Sequence, residues 1–276
     1  MSRIDDLFRS LERPAFIAYI VAGYPDVATT LSASRALIDG GADILEIGIP
    51  FSDPLADGPT IQRAHESALV GGMTQDRVFE LVKEIRKDYT TPVVLLAYAN
   101  HLMARGISRF YEDAAAAGVD GVLVVDMPPE ECEEARLNAE KNAIDQIFII
   151  APTTREHRRD MILQKSAGFL YLVSVLGVTG VRHTLSPETL AFVRELRSHT
   201  AVPLAVGFGI SSPGHVMPLA VAGADAVIVG SGIVDIIGRS IAGQRSTNDE
   251  LAAFARDMRE ACNHCRNVNR QRIEIP

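Results

Sequence analysis

Short apolar runs alternate with segments of helical periodicity along the whole chain. The runs fall at 15–21, 44–48, 93–98, 122–125, 146–150, 169–174, 204–207 and 226–229. They are rich in Val, Ile and Leu, and most show no strict alternation, which suits parallel strands covered on both faces. Between them, helical spacing predicts helices near 27–39, 74–88, 108–117, 130–142, 155–165, 186–197 and 213–222. Eight strands with intervening helices in 276 residues predict an α/β fold, a (β/α)8 TIM barrel. The rival, a doubly wound open sheet, would need a topological switch point, and the pattern holds no signal for one. An extra helix at 59–72 follows the second strand, and a long loop at 175–185 follows the sixth. Long loops at that end of a barrel usually serve as lids or binding surfaces.

An internal echo supports the barrel. Gly41, Ala42 and Asp43 precede the second strand; Gly118, Val119 and Asp120 the fourth; Gly223, Ala224 and Asp225 the eighth; Gly168 and Phe169 open the sixth. Each glycine can take the left-handed position that ends a helix. Recurrence at every second strand reads as a barrel built from four quarters. The expected organisation is one domain over 1–276, with a barrel core at about 14–238 and a C-terminal helical tail at about 248–276.

Composition narrows the function. The chain is 47% hydrophobic and 22% charged, enough for a large core. A net charge of −8 argues against a nucleic-acid or anionic-membrane surface. No apolar run approaches the ~18 residues of a membrane span, and the first residues form no apolar leader core, so a cytoplasmic enzyme is expected. Cys262 and Cys265 bracket His264 without a second ligand pair, and read as ordinary thiols rather than a metal site.

The chemistry concentrates after the second strand. Glu46 interrupts the apolar run from Ile44 to Ile49, and Asp53 and Asp57 follow among Pro50, Pro54 and Pro59. A carboxylate in an apolar strand is costly unless it is paired, hydrated or kept for chemistry. One junction therefore sets an acid in a strand against an acid in a loop, which gives two carboxyls different environments. The plainer reading is a satisfied core acid and two turn-shaping aspartates.

Three glycine clusters follow the last three strands: Gly177 to Gly180, Gly207 with Gly209, and Gly230 with Gly232 around Ser231. Backbone amides at such glycines, beside a helix N-terminus, can hold an anion, and loops after strands 7 and 8 are the usual phosphate site of this architecture. No Lys or Arg lies in the last two clusters, so amides and Ser231 would hold the phosphate. The Gly207, Gly209 and Ser212 spacing also approaches a dinucleotide fingerprint but lacks its third glycine. Tyr19, Tyr98, Tyr171 and Phe208 stand near strand ends and suggest a flat, apolar substrate.

From about Leu7 to Gly238, in matched motif order, the chain resembles the tryptophan synthase alpha chain family. The segment from Leu45 to Gln62 carries the most specific match. The segments from Gly177 to Gly180 and from Gly207 to Ser211, together with Gly230 and Ser231, carry the rest. The resemblance implies a barrel lyase that cleaves indole-3-glycerol phosphate to indole and glyceraldehyde 3-phosphate. It implies no metal and no cofactor in this chain. Pyridoxal phosphate is expected only in a partner beta chain, within an α2β2 heterotetramer. By motif, Glu46 takes the place of the catalytic glutamate and Asp57 that of the aspartate holding the indole N–H. Gly180, Gly209, Gly230 and Ser231 fall at phosphate positions, and Tyr19, Tyr98, Tyr171, Thr179 and Phe208 at pocket positions.

Elementary chemistry agrees with those roles. Retro-aldol cleavage needs indole C3 protonated, then the glycerol hydroxyl deprotonated as the C–C bond breaks. A carboxyl in an apolar strand has a raised pKa and can donate near neutral pH. A wetter loop aspartate stays ionised and stabilises charge growing on the indole nitrogen. Three departures stand out: the segment from Asn100 to Gly106, Val125 beside the expected indole, and the tail from Asn248. Other readings stay open at this point: a stand-alone lyase releasing free indole, a non-catalytic phosphate-binding barrel subunit, and a phosphate-binding isomerase barrel. The last would place acids at the ends of strands 1 and 5, where none is found.

Overall fold

The computed structural model describes residues 2–173, 185–207, 209–241 and 247–266. Eight parallel strands close on themselves in chain order. They are β1 Ala15–Val21, β2 Ile44–Gly48, β3 Val93–Ala97, β4 Gly121–Val124, β5 Asp145–Ile150, β6 Leu170–Leu172, β7 Leu204–Val206 and β8 Ala226–Val229. Their residues are almost all buried, as continuous apolar runs require when helices cover the sheet. The loop expected at 175–185 after the sixth strand lies, apart from Leu185, outside the described residues.

The outer elements are α1 Arg3–Ser10, α2 Val27–Asp39, α3 Pro59–Val70, α4 Gln75–Arg86, α5 Ala99–Arg105, α6 Ile107–Ala117, α7 Glu133–Lys141, α8 Glu156–Lys165, α9 Pro187–Arg197, α10 Val216–Ala222, α11 Ser231–Ile241 and α12 Thr247–His264. α3 is the extra helix after the second strand. A 3-10 turn, Pro213–His215, precedes α10. The periodicity did not predict α1, α5 or α11. α1 is two turns long and is started by a reciprocal cap between Ser2 and Asp5. α5 starts where the His101 ring accepts the Tyr98 amide at 3.1 Å. Tyr98 is thus the cap of α5 and not the last residue of β3. α12 packs on α2, α10 and α11 and buries Cys262 and Cys265. Burial pushes the Cys262 thiol up to about 12, which makes it an inert core residue.

The repeated Gly-x-Asp acquires a physical meaning at the N-terminal face. Asp43 accepts the Phe16 amide at 2.8 Å and both guanidinium arms of Arg13. Asp120 accepts the Val93 amide at 2.8 Å and pairs with Arg3 and Arg86. Asp225 accepts the Leu204 amide at 2.8 Å and pairs with Arg197. In these three quarters, the aspartate before an even strand satisfies an N–H at the start of the preceding odd strand. The glycine two residues earlier has positive φ, and a Cβ there would strike Arg259, Arg86 or Arg197, each of which pairs with the aspartate. Carboxylates held this way pin register at the stabilising end of the barrel and leave the opposite end for chemistry.

Candidate active site

Glu46 sits in the middle of β2, beside Tyr19 of β1 in the pairing register. It is wholly buried, and neither carboxyl oxygen has a hydrogen-bond partner among the described residues. Burial, and then the charge of Asp57, push its pKa up to about 8. An orphaned buried carboxyl has a large desolvation penalty in its charged form, so it persists for a chemical reason or is lost.

Asp57 lies in the turn that leads into α3. Its amide donates to the Pro54 carbonyl at 3.0 Å, and Gln62 of α3 donates its side-chain amide to the Asp57 carbonyl at 2.9 Å. Pro59 at the first helical position then starts α3. The expectation of a wet loop carboxylate is corrected here. The Asp57 side chain is only 10% exposed, because Tyr98 covers it and donates its hydroxyl to Oδ2 at 2.8 Å. The two acids therefore differ less in water than in donors: Asp57 has one in place, and Glu46 has none.

Three tyrosines complete the mouth. Burial raises the hydroxyl pKa of Tyr19, Tyr98 and Tyr171; Asp57 adds to the shift at Tyr19 and Tyr98, and Glu46 at Tyr171. The rings of Tyr19 and Tyr171 have room only because a glycine stands at the end of the neighbouring strand or just after it. A Cβ on Gly48 would stand 2.3 Å from the Tyr19 hydroxyl oxygen, and one on Gly207 would stand 2.3 Å from that of Tyr171. These two tyrosines each lie over a glycine at or just after the end of the next strand. Gly230 follows β8 against the Tyr19 ring, and Ser231 opens α11. Gly209 follows β7 at φ +78°, with open space where a Cβ would be.

The structure thus brings Glu46, Asp57, Tyr19, Tyr98 and Tyr171 to one mouth, with Gly230 at its β8 wall. Thr179, Gly180 and Phe208 lie outside the described residues. Two residues escaped the sequence reading. Phe51 stacks on Tyr98, with centroids 4.6 Å apart. His65, wholly buried on α3, stands with Nε2 3.4 Å from Asp57 Oδ2. The available signal was a histidine on the helix face that also carries Ile61 and Ala68. Among the described residues no three His, Cys, Asp or Glu side chains gather as a metal site would need.

A family model described as the tryptophan synthase alpha chain matches residues 7–263. The tryptophan synthase alpha chain of Methanoregula boonei is 51% identical, over 95% of this chain and 98% of that one. That of Geobacter sulfurreducens is 43% identical, over 95% and 99%. The crystal structure of tryptophan synthase subunit alpha from Legionella pneumophila superposes with a TM-score of 0.88 at 35% identity, covering 96% of this chain and 99% of that one. A tryptophan synthase complex from Pyrococcus furiosus gives 0.82 at 36% identity, over 89% and 98%.

Proposed function

The chain belongs to the tryptophan synthase alpha chain family, and from that premise we propose how its residues divide the work. It is a carbon–carbon lyase that cleaves indole-3-glycerol phosphate to indole and glyceraldehyde 3-phosphate. Its partner is the tryptophan synthase beta chain, to which pyridoxal phosphate belongs.

Glu46 is the general acid and base. It gives its proton to indole C3, which turns the ring into an electron sink. As carboxylate it then takes the proton of the glycerol hydroxyl. The C–C bond breaks, its electron pair restores the indole, the aldehyde forms, and Glu46 ends as it began. Asp57 accepts the indole N–H and stabilises the positive charge that grows there. Tyr19, Tyr98, Tyr171, Thr179 and Phe208 line the indole pocket. Amides of Gly180, Gly209, Gly230 and Ser231 hold the phosphate, where the N-terminus of α11 adds a favourable dipole. The chain works as one domain over 1–276, in the cytoplasm, as the alpha part of an α2β2 assembly. No helix among the described residues is long and apolar enough to cross a membrane.

The observation that carries the division of labour is the pairing of a buried, donorless Glu46 with a donor-held Asp57. Glu46→Gln and Asp57→Asn test it, with indole release from indole-3-glycerol phosphate as readout. The first should lower kcat by about 10²–10⁴. The second should lower kcat while glycerol 3-phosphate still binds. Near-native turnover in either variant would remove that residue from its role.

A further inference from the structure

His65 belongs to no motif used so far, yet its ring meets Phe51, Asp57 and Tyr19 at the mouth. It is wholly buried on α3. Its Nδ1 accepts the Phe51 amide at 3.2 Å. An amide N–H can donate only to a ring nitrogen that carries no hydrogen, so the ring hydrogen stands on Nε2. Two acceptors face that nitrogen: Asp57 Oδ2 at 3.4 Å and the Tyr19 hydroxyl at 3.5 Å. The carboxylate is the stronger acceptor.

The contacts form a closed circuit. His65 holds the Phe51 amide, and Phe51 stacks on Tyr98. Tyr98 donates to Asp57 Oδ2, and the same oxygen faces His65 Nε2. Both neighbours thus approach one oxygen of Asp57, and Oδ1 takes neither. A separation of 3.4 Å is long for a hydrogen bond, and such contacts shorten when substrate fills a site.

We propose that His65 is a positioning residue for the lyase reaction, orienting the Asp57 carboxylate toward the indole N–H through its Nε2 hydrogen. The proposal rests on the reading of Asp57 as the group that meets the indole nitrogen. It separates two duties of one ring, holding the Phe51 backbone through Nδ1 and holding Asp57 through Nε2. A histidine kept only for packing would need the first alone.

Three substitutions divide those duties. His65→Asn keeps a polar atom near Phe51 but does not reach Asp57. His65→Gln carries an amide hydrogen out to where Nε2 stood. His65→Phe keeps the volume and loses both. The full chain, saturated with beta chain, is assayed for indole-3-glycerol phosphate cleavage. His65→Asn and His65→Phe should lower kcat by about 10- to 100-fold, as expected when a group in the transition state is misplaced by about an ångström. KM should stay within about twofold, because the phosphate is held elsewhere. His65→Gln should recover most of the loss. In an Asp57→Asn background, His65→Asn should cost less than about twofold more, because both changes remove one function. Equal kcat for the asparagine and glutamine variants would overturn the proposal, as would independent losses in the double variant. If His65→Phe does not fold, the asparagine and glutamine pair still decides. The underlying reading fails separately: full activity in Asp57→Asn alone would sink the role of Asp57, whatever His65 does.

Discussion

Replacing Glu46 by glutamine separates the stability this carboxyl removes from the chemistry it performs. In the folded chain burial, aided by the Asp57 charge, pushes its pKa from 4.5 up to about 8. The unfolded chain loses the proton near the lower value. Between the two, the folded state holds a proton that the unfolded state has released. Stability from this group is therefore complete below about 4.5 and is lost as pH rises toward about 8. Inside that window each step of one pH unit removes about 1.4 kcal/mol. From about pH 5.5 to about pH 7.5 the native chain should lose about 2.7 kcal/mol that Glu46→Gln does not lose. For a chain of this size that widens the difference in Tm by roughly 5–10 °C in favour of the variant. Thermal melts of both proteins in paired buffers measure it, and every group common to the two cancels in the difference. The absolute offset also includes the unmet hydrogen bonds of the new amide, so the change with pH is the quantity to read. Over the same range the native kcat/KM should hold and then fall above about pH 8, as the acid form of Glu46 disappears. A stability difference that stays constant from about pH 5.5 to about pH 7.5 would refute the reasoning. Glu46 would then ionise near its ordinary value and could not keep a proton for indole C3 at neutral pH.

Two further outcomes follow from the walls of the mouth. Ser231→Asp places a carboxylate at the start of α11, where the phosphate is expected, and should raise KM at least about tenfold through like-charge repulsion with little change in Tm; an unchanged KM would move the phosphate elsewhere. Gly48→Ala sets a methyl 2.3 Å from the native position of the Tyr19 hydroxyl oxygen, so the ring must leave its place beside Glu46. Cleavage should fall by roughly 10-fold or more, and unaltered kinetics would show that Tyr19 does not shape the pocket.

Part of this was legible in the chain because it is local. β1, β2, β8 and α2 begin and end where the sequence pattern places them, since Gly, Asp or Pro stands at or near their ends. Glu46 was conspicuous for the same reason: an acid in an apolar strand contradicts its surroundings. What could not be read is the company each acid keeps. Asp43, Asp120 and Asp225 recur visibly, but their partners Arg13, Arg86 and Arg197 stand on other elements, brought in only when the barrel closes. Asp57 looked like a wet turn residue because nothing in its loop reveals that Tyr98 covers it from the start of α5. α5 itself was hidden, because its start depends on the His101 ring and on no strong capping residue. The loop at 174–184, with Thr179 and Gly180, and Phe208 after β7 lie outside the described residues.

The turn that carries Asp57 also carries the most exposed large apolar side chain beside the site. Leu55 is 89% exposed, and Met103 of α5 is 68% exposed. Single exposed apolar residues are ordinary, but Leu55 stands two residues before Asp57, and Met103 lies on α5, the helix that Tyr98 caps, while Tyr98 and Asp57 share a hydrogen bond. Side chains tie the turn at two places: Gln62 donates toward the Pro54 and Asp57 carbonyls, and Tyr98 donates to Asp57 Oδ2. Pressure on Leu55 therefore reaches Asp57 through two residues of backbone. A beta chain that buries Leu55 would fix the turn and, with it, the carboxylate, which is a route for one subunit to activate the other. Leu55→Asp should weaken association with the beta chain by about 2 kcal/mol, roughly thirtyfold in Kd, from the lost burial of one leucine. Without partner, its cleavage rate and its Tm should match the native chain, because the side chain is 89% exposed. Titrating beta chain against a fixed amount of each protein, with indole-3-glycerol phosphate cleavage as signal, reads both quantities in one experiment. The native curve should rise and saturate; the variant curve should rise later to the same plateau. Superimposed curves would show that the beta chain docks elsewhere. A native rate that no amount of partner changes would mean that Asp57 is already in place, and that the turn needs no second chain to order it.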